Sequence, residues 1–498
     1  MPMTEGLRAR WPQIALAALL LGGFLLRLID LHDAPLDFHP TRQYRDALIA
    51  RSIYYGWSPS DDPERQALAL SMRDRVAELE PPILESSVAA GYLVSGGESF
   101  AVARVLNALI WALGGWALYA LIARVASPLA GLLGVAYYLA LPFGVIASRS
   151  FQPDALMVAL IAFAAYAAYR WSETRAWNWA LLTAAAAGLA VLVKALALYF
   201  VAGMLVALVL AVVGARAMLR DRQVWAMAAL TLLLPSAYYL FNIADSSGSY
   251  VQDWVISLLS LAADPGFYVR WLNFIGKQLG LGAILLALGG VALAQPVLRW
   301  MLAGLWIGYA VYGITLPHQT TTHEYYHLLL VWLLPLSLAP VFQLVLEKLA
   351  EQSRGWRLLF AAVVLGGAGF GAWIARSTLV GQDYRADEAY WTQVAEAIPA
   401  DGDTIALTQY YGHLLMYYGW RHVALWPETA ERQLAEVRGD ANPDFVDEFE
   451  DRTEGIDYFL VTAFLEQQPE LESYLYGHYS LYAEGPGYLI FDLSQFQP

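Results

Sequence analysis

Apolar residues run along this chain in long blocks, broken by short polar connectors. The blocks fall at 12–30, 100–123, 128–147, 153–171, 178–193, 195–213, 224–243, 276–294, 298–316, 327–346 and 357–378. Most approach the ~20 residues that an α-helix needs to cross the hydrocarbon of a bilayer. The pattern predicts a polytopic α-helical membrane protein with about eleven transmembrane helices. Lys194 alone separates 178–193 from 195–213. That predicts two short helices meeting near one surface. The first block could pass for a signal peptide, but it is long, lacks a small-residue cleavage site and heads a series of spans. It reads as a retained first helix.

Two stretches depart from the pattern. The loop 31–99 is too long for a mere connector. Within Asp46–Trp57, Leu48, Ile49, Ile53 and Tyr54 recur at helical spacing beside Arg45 and Arg51, and 64–79 repeats the motif. Both predict amphipathic helices lying in the membrane interface. The tail 380–498 switches to short apolar runs of strand type, at 403–409, 422–427 and 457–462, and a hairpin at 479–493 turning at Gly485–Pro486–Gly487. Helices are expected at 387–397, 411–418, 428–438 and 443–453. The tail therefore reads as a small α/β domain, and the chain as a membrane domain 1–379 followed by a domain 380–498.

Composition sharpens this picture. The 498 residues are 58% hydrophobic and only 15% charged, against roughly 25% charged in soluble proteins. There is no cysteine, which excludes disulfides and thiolate chemistry. The formal charge of −14 is unevenly spread. Residues 380–498 hold 22 acidic and 5 basic side chains, a net −17, and loop 31–99 is net −5, so the remainder is net +8. A basic footprint for nucleic acid is missing. One alternating set of short connectors holds Arg8, Arg10, Arg124, Arg170, Arg175, Arg216, Arg220, Arg222, Arg299, Lys348, Arg354 and Arg357. Basic short loops stay inside, so the N-terminus is expected in the cytoplasm. An odd number of spans then puts loop 31–99 and the tail outside.

The remaining ionisable groups gather on that outer face. They are Asp37, His39, Arg42, Asp46 and Arg51 in the first loop, Arg149 and Asp154 in SRSFQPDALM, Lys194 in GLAVLVKALALYF, and His318, His323, Glu324 and His327 in HQTTTHEYYH. Charge near hydrocarbon is costly and marks a functional site by default. Each has a plainer reading. Asp37 follows Pro35 and suits a turn. Asp154 suits a helix N-terminus. Arg149 suits an interface anchor, or a partner for Asp154 five residues on. Lys194, one of three lysines in the chain, suits a snorkelling side chain. His323, Glu324 and His327 stand in an H-E-x-x-H pattern, which invites a metal reading; hydrogen bonding to phosphate or sugar is the reading taken, and no metal site is expected. A carboxylate can act as general base on an incoming hydroxyl or amine, while nearby cations hold a departing phosphate. These parts suit transfer of a sugar from a polyprenyl-phosphate donor.

Five stretches resemble the GT-C glycosyltransferases of the protein O-mannosyltransferase and aminoarabinose transferase superfamily, in its bacterial family 39-like branch. HPTRQYRDALIARSIYYG resembles the family segment ending in A-x-x-I-A-R, and EPPILE its K/H-P-P-L element. SRSFQPDALMVAL resembles its R-x-x-x-x-D motif, and GLAVLVKALAL its G-L-x-x-L-x-K-G element. THEYYHLLLVWLLP resembles its H-x-Y-Y-x-L-P-x-x-P segment. Aligned on Ile49-Ala50-Arg51, the family's first-loop acid falls at Arg42, with Asp37 a few residues early. Glu80 stands where the family often has Lys or His. The resemblance implies an inverting transferase with Asp37 or Asp154 as the base. Donor phosphate or sugar would be held among His39, Arg42, Arg149, Lys194, His323, Tyr326 and His327. It implies a polyprenyl-phosphate-linked sugar as donor, a lipid, glycan or protein acceptor outside the membrane, and no cofactor. A lipid-linked glycan flippase, or a non-catalytic scaffold or glycan sensor with the same fold, are the alternatives. Charges at one face and the lack of repeats disfavour transport.

Overall fold

The computed structural model describes residues 5–241, 251–440 and 443–497. The last two residues of the expected span 224–243 lie outside them. The chain divides into two compact units: Met1–His32, Glu78–Gly91 and Ser99–Gln382 in the first; Asp33–Ala77, Tyr92–Glu98 and Asp383–Pro498 in the second.

The first unit is helical. Among the described residues, six of its helices are long and apolar enough to cross a membrane: Phe100–Val125, Asp154–Thr174, Arg222–Phe241, Pro296–Thr315, Glu324–Ala350 and Arg354–Leu379. Bent pairs raise the number to eight if each is one span. The block read as one helix at 128–147 is such a pair. Pro128–Ala140 and Pro142–Arg149 meet at 64°, because Pro142 cannot donate into the preceding turn. Pro265–Leu279 and Leu281–Leu293 meet at 96°, hinged on Gly280 at φ +82°, a backbone conformation that glycine adopts without a Cβ clash. Trp177–Val193 and Ala197–Val212 are two short apolar helices, with Lys194 extended between them. Side-chain caps start the helices cleanly: the Ser99 hydroxyl accepts from Ala101 N and the Ser127 hydroxyl from Ala130 N.

Glycine sets the tightest crossing. A Cβ on Gly203 or on Gly304 would overlap the other's carbonyl, and one on Gly308 would overlap Tyr199 O. The Ala197–Val212 and Pro296–Thr315 helices therefore pack backbone to backbone, as small residues permit in membranes. This contact brings Tyr199 and Phe200 against Tyr312, with ring centroids 5.8 and 5.0 Å apart.

The second unit holds one five-stranded sheet in the order β2-β1-β3-β5-β4, with β1 Thr404–Leu407, β2 Ala424–Leu425, β3 Tyr458–Val461, β4 Ser480–Gly485 and β5 Tyr488–Asp492. β1 runs parallel to β2 and β3, and β5 antiparallel to β3 and β4. Its core is Ile405, Leu407, Trp426, Phe449, Phe459, Leu475 and Phe491. A helix at Pro469–His478 joins those expected in this region. The first-loop helix Pro40–Trp57 differs from its expectation. Every residue from Gln43 to Ser52 is buried, so it has no wet face such as an interface helix would keep. Charged positions are neutralised within the unit instead. Arg45 pairs with Asp46 at 2.6 Å, and Arg51 pairs with Glu98 at 2.8 Å and donates to Tyr417 O at 2.9 Å.

Candidate active site

The Asp154–Thr174 helix starts at Pro153, which puts the Asp154 carboxylate at its first turn, where the helix dipole favours negative charge. Lys194 occupies the break between the two short helices, at φ −155° and ψ 114°. Its Nζ donates to Asp154 Oδ1 at 2.8 Å and Oδ2 at 2.9 Å. The two residues are 2% and 4% exposed. Burial of either charge alone is costly, and pairing offsets much of that cost. The ammonium also faces the rings of Tyr325 and Tyr326, 5.0 and 5.3 Å from their centroids. Aromatic faces attract a cation, so Lys194 has a carboxylate and two rings around it.

The rings belong to the HQTTTHEYYH segment, which folds as short helical turns at Gln319–Thr322 and Glu324–His327. Tyr312 donates from its hydroxyl to Tyr326 O at 3.1 Å, and the two rings stack at 6.0 Å. His323 Nδ1 lies 2.7 Å from Thr322 Oγ1 and its ring packs edge-on to Tyr325 and Tyr326. His327 is fully buried, with Nε2 2.8 Å from Thr320 O and Nδ1 2.8 Å from Tyr309 Oη. A carbonyl only accepts, so Nε2 carries the proton and Nδ1 accepts from Tyr309; the tautomer follows from the partners. Both nitrogens are thereby committed to holding the segment on Pro296–Thr315. No nitrogen of His327 is left to bind a donor or a metal.

Arg149 does not join Asp154. Its guanidinium donates to Ile29 O and, at 2.9 Å, to Asp30 O, where Arg104 also donates to Asp30 O and Leu31 O at 3.2 and 2.8 Å. The last carbonyls of a helix lack intrahelical partners, and those after Glu5–Arg27 take the two arginines. Arg27 is fully buried and donates to Ser148 Oγ, Gly23 O, Leu139 O and Gly144 O. The sequence reading passed over Arg27 and Arg104, although each interrupts an apolar run. Just before Asp154, Asn107 Nδ2 donates to Ser150 O at 2.5 Å, and Gln152 N donates to the same oxygen at 2.8 Å.

The other expected residues, Asp37, His39 and Arg42, lie in the second unit. Asp37 is exposed and Arg42 half-buried. His39 takes the left-handed conformation at φ +46° ahead of Pro40, its ring edge-on to Phe38 at 4.7 Å. Asp33, missed in the sequence, is the buried carboxylate of this stretch and accepts from Tyr384 N at 2.9 Å. Nearby, burial and the charge of Asp33 push the Asp387 carboxyl above its usual range. His413 donates from Nδ1 to Thr41 O at 3.1 Å. Burial pulls its imidazole down to about 4, against the opposing effect of that bond. Asp154, Lys194, His323, Tyr326 and His327 are thus in one neighbourhood of the first unit, with Arg149 turned to other partners. Among the described residues no three His, Cys, Asp or Glu side chains gather as a metal site.

The expected family resemblance holds in both sequence and fold. Residues 80–241, which include Asp154 and Lys194, match the family model of dolichyl-phosphate-mannose-protein mannosyltransferases. No curated protein sequence matches the chain. The chain is similar in structure to ArnT from Cupriavidus metallidurans bound to undecaprenyl phosphate, with TM-score 0.59 and 15% identity, covering 97% of each chain. It is also similar to the archaeal oligosaccharyltransferase AglB from Archaeoglobus fulgidus in complex with an inhibitory peptide and a dolichol-phosphate. There the TM-score is 0.61 and the identity 13%, over 97% of this chain and 74% of that one. At these identities the likeness shows the fold alone.

Proposed function

We propose that this protein is an inverting membrane glycosyltransferase that moves a sugar from a polyprenyl-phosphate donor to an acceptor outside the cytoplasm. The observation that carries the reading is the buried Asp154–Lys194 pair under two tyrosine rings, inside the segment matching the mannosyltransferase model. The undecaprenyl phosphate of the ArnT structure and the dolichol-phosphate of the AglB structure support a donor of that class. In this reading the chain makes eleven spans, counting the shorter and bent helices. The N-terminus is cytoplasmic and residues 380–498 form an outer domain.

Lys194 holds the donor phosphate, and Asp154 keeps the ammonium in place. The base is Asp37 or Asp154; both oxygens of Asp154 accept from Nζ. The acceptor oxygen or nitrogen attacks the anomeric carbon as the base takes its proton. The carbon–oxygen bond to phosphate breaks, and its electron pair leaves on the phosphate oxygen beside Lys194, where a fixed cation stabilises developing charge. The test is single-turnover transfer from radiolabelled polyprenyl-phosphate sugars by the protein in nanodiscs. Asp37→Asn is expected to retain donor binding and lose transfer, and Lys194→Ala to lose binding. Binding without turnover by the wild type, untouched by either change, refutes the enzyme reading in favour of a sensor or flippase.

A further inference from the structure

Gln152 stands two residues ahead of Asp154, in the turn that opens the helix. It is 1% exposed, and neither its Oε1 nor its Nε2 has a hydrogen-bond partner among the described residues. The same turn receives the Asn107 carboxamide. That side chain, 0% exposed, spends Nδ2 on Ser150 O, while its Oδ1 has no partner. Leaving a buried polar group unmet is costly, and most such groups in native proteins are paired. Three such atoms thus belong to side chains in, or bonded to, the turn that leads into Asp154.

The chemistry of these atoms selects an occupant. Asn107 Oδ1 and Gln152 Oε1 only accept, and Gln152 Nε2 only donates. A phosphodiester monoanion has no proton to give, and two carbonyl oxygens repel it. A hydroxyl can donate to one amide oxygen and accept from the amide nitrogen. Lys194 suits the phosphate end of a donor, and the two carboxamides suit its sugar end. We propose that Gln152, with Asn107 beside it, binds a ring hydroxyl of the sugar being transferred and so helps decide which sugar is accepted. This rests on the transferase reading above.

The experiment uses the full chain in nanodiscs, with Gln152→Leu, undecaprenyl phosphate, and a set of undecaprenyl-phosphate hexoses with their single-deoxy analogues. Leucine fills the same space without polar atoms. In the absence of lipid, Gln152→Leu is expected to unfold at or above the wild-type temperature, since an unmet group has been removed. Affinity for the preferred sugar lipid should fall about tenfold or more. Affinity for bare undecaprenyl phosphate should stay unchanged. One deoxy analogue should lose affinity on the wild type and lose no more on the variant, because both changes delete the same bond.

A variant less stable by the worth of a buried hydrogen bond overturns the proposal, because Gln152 would then be a structural tie. Equal loss on sugar lipid and bare lipid overturns it too, and so does no loss on either, which leaves water as the occupant. If the wild type prefers no sugar lipid over bare lipid and transfers none, the transferase reading itself fails. Turnover by wild type and variant alike sinks only the role of Gln152.

Discussion

Replacing Lys194 by methionine tests the heart of the site. The change keeps most of the side-chain volume and removes the ammonium that donates to both Asp154 oxygens at 2.8 and 2.9 Å. At such a separation the gross attraction is roughly 6 kcal/mol for an effective dielectric near 20, and desolvation of the two ions takes back much of it. Breaking a buried pair from one side is a different matter, because Asp154 stays 2% exposed with no counter-charge. That costs about 3–5 kcal/mol. Lys194→Met is therefore expected to lower the unfolding free energy by that amount in nanodiscs, read by thermal or denaturant melts. The double variant Lys194→Met, Asp154→Leu should recover most of the loss, to within about 1 kcal/mol of wild type or beyond it, and should still fail to bind donor. If Lys194→Met alone melts with the wild type, the pair is neither buried nor coupled, and the site argument collapses.

Three other outcomes follow from single contacts. Gly304→Val would press a Cβ to within 2.8 Å of Ala207 Cβ and onto the Gly203 carbonyl; it should cost about 3 kcal/mol or more and show as aggregation on size-exclusion chromatography. Arg27→Met strands three backbone carbonyls and Ser148; a loss of about 3 kcal/mol is expected, with donor affinity of the surviving folded fraction unchanged in a binding assay. His413, held at about 4 by burial, refuses a proton that the unfolded chain accepts near 6.5. Its contribution to stability is whole above pH 6.5 and is lost as pH falls toward 4; melts across that window should steepen in wild type relative to His413→Asn, and parallel curves would count against it.

The sequence made the charged positions legible and left their partners open. Lys194 stood out because an ammonium inside GLAVLVKALALYF has few structural excuses, and Asp154 stood out as an acid at a helix start. Their contact, across forty residues, depends on two apolar helices ending at the same level, which periodicity does not encode. Arg149 was the natural partner by distance along the chain. It went instead to the carbonyls of Ile29 and Asp30, because a helix that ends amid apolar packing leaves acceptors that must be met. The all-round burial of Gln43–Ser52 was equally hidden. Arg45 and Arg51 signal a wet face only if they lack partners, and the partners Glu98 and the Tyr417 carbonyl come from distant parts of the chain. His327 was read by type, as a candidate ligand. Its geometry is that of a brace, fixed by Tyr309 and Thr320.

The Asp154–Lys194 pair gives the fold little net stability, and this is what makes it informative. A leucine and a methionine in its place would leave the helices as well packed or better. The tyrosines around Lys194 would pack against a methionine too. What a hydrophobic pair cannot do is exchange one partner for another. When a donor phosphate arrives, the ammonium can share its N–H groups between the carboxylate and the phosphodiester, so entry of the lipid head need not strand Asp154 as a bare ion in a low-dielectric site. Asp154 then keeps Lys194 aimed while the site is empty, and the phosphate takes over part of that role when it is full. A cation resting on an apolar wall without Asp154 would have to be desolvated anew at each binding event. The argument predicts that Asp154→Asn weakens binding of undecaprenyl phosphate itself. An unchanged affinity for that lipid, in a variant that melts with the wild type, would place Asp154 outside donor binding and leave its burial without this explanation.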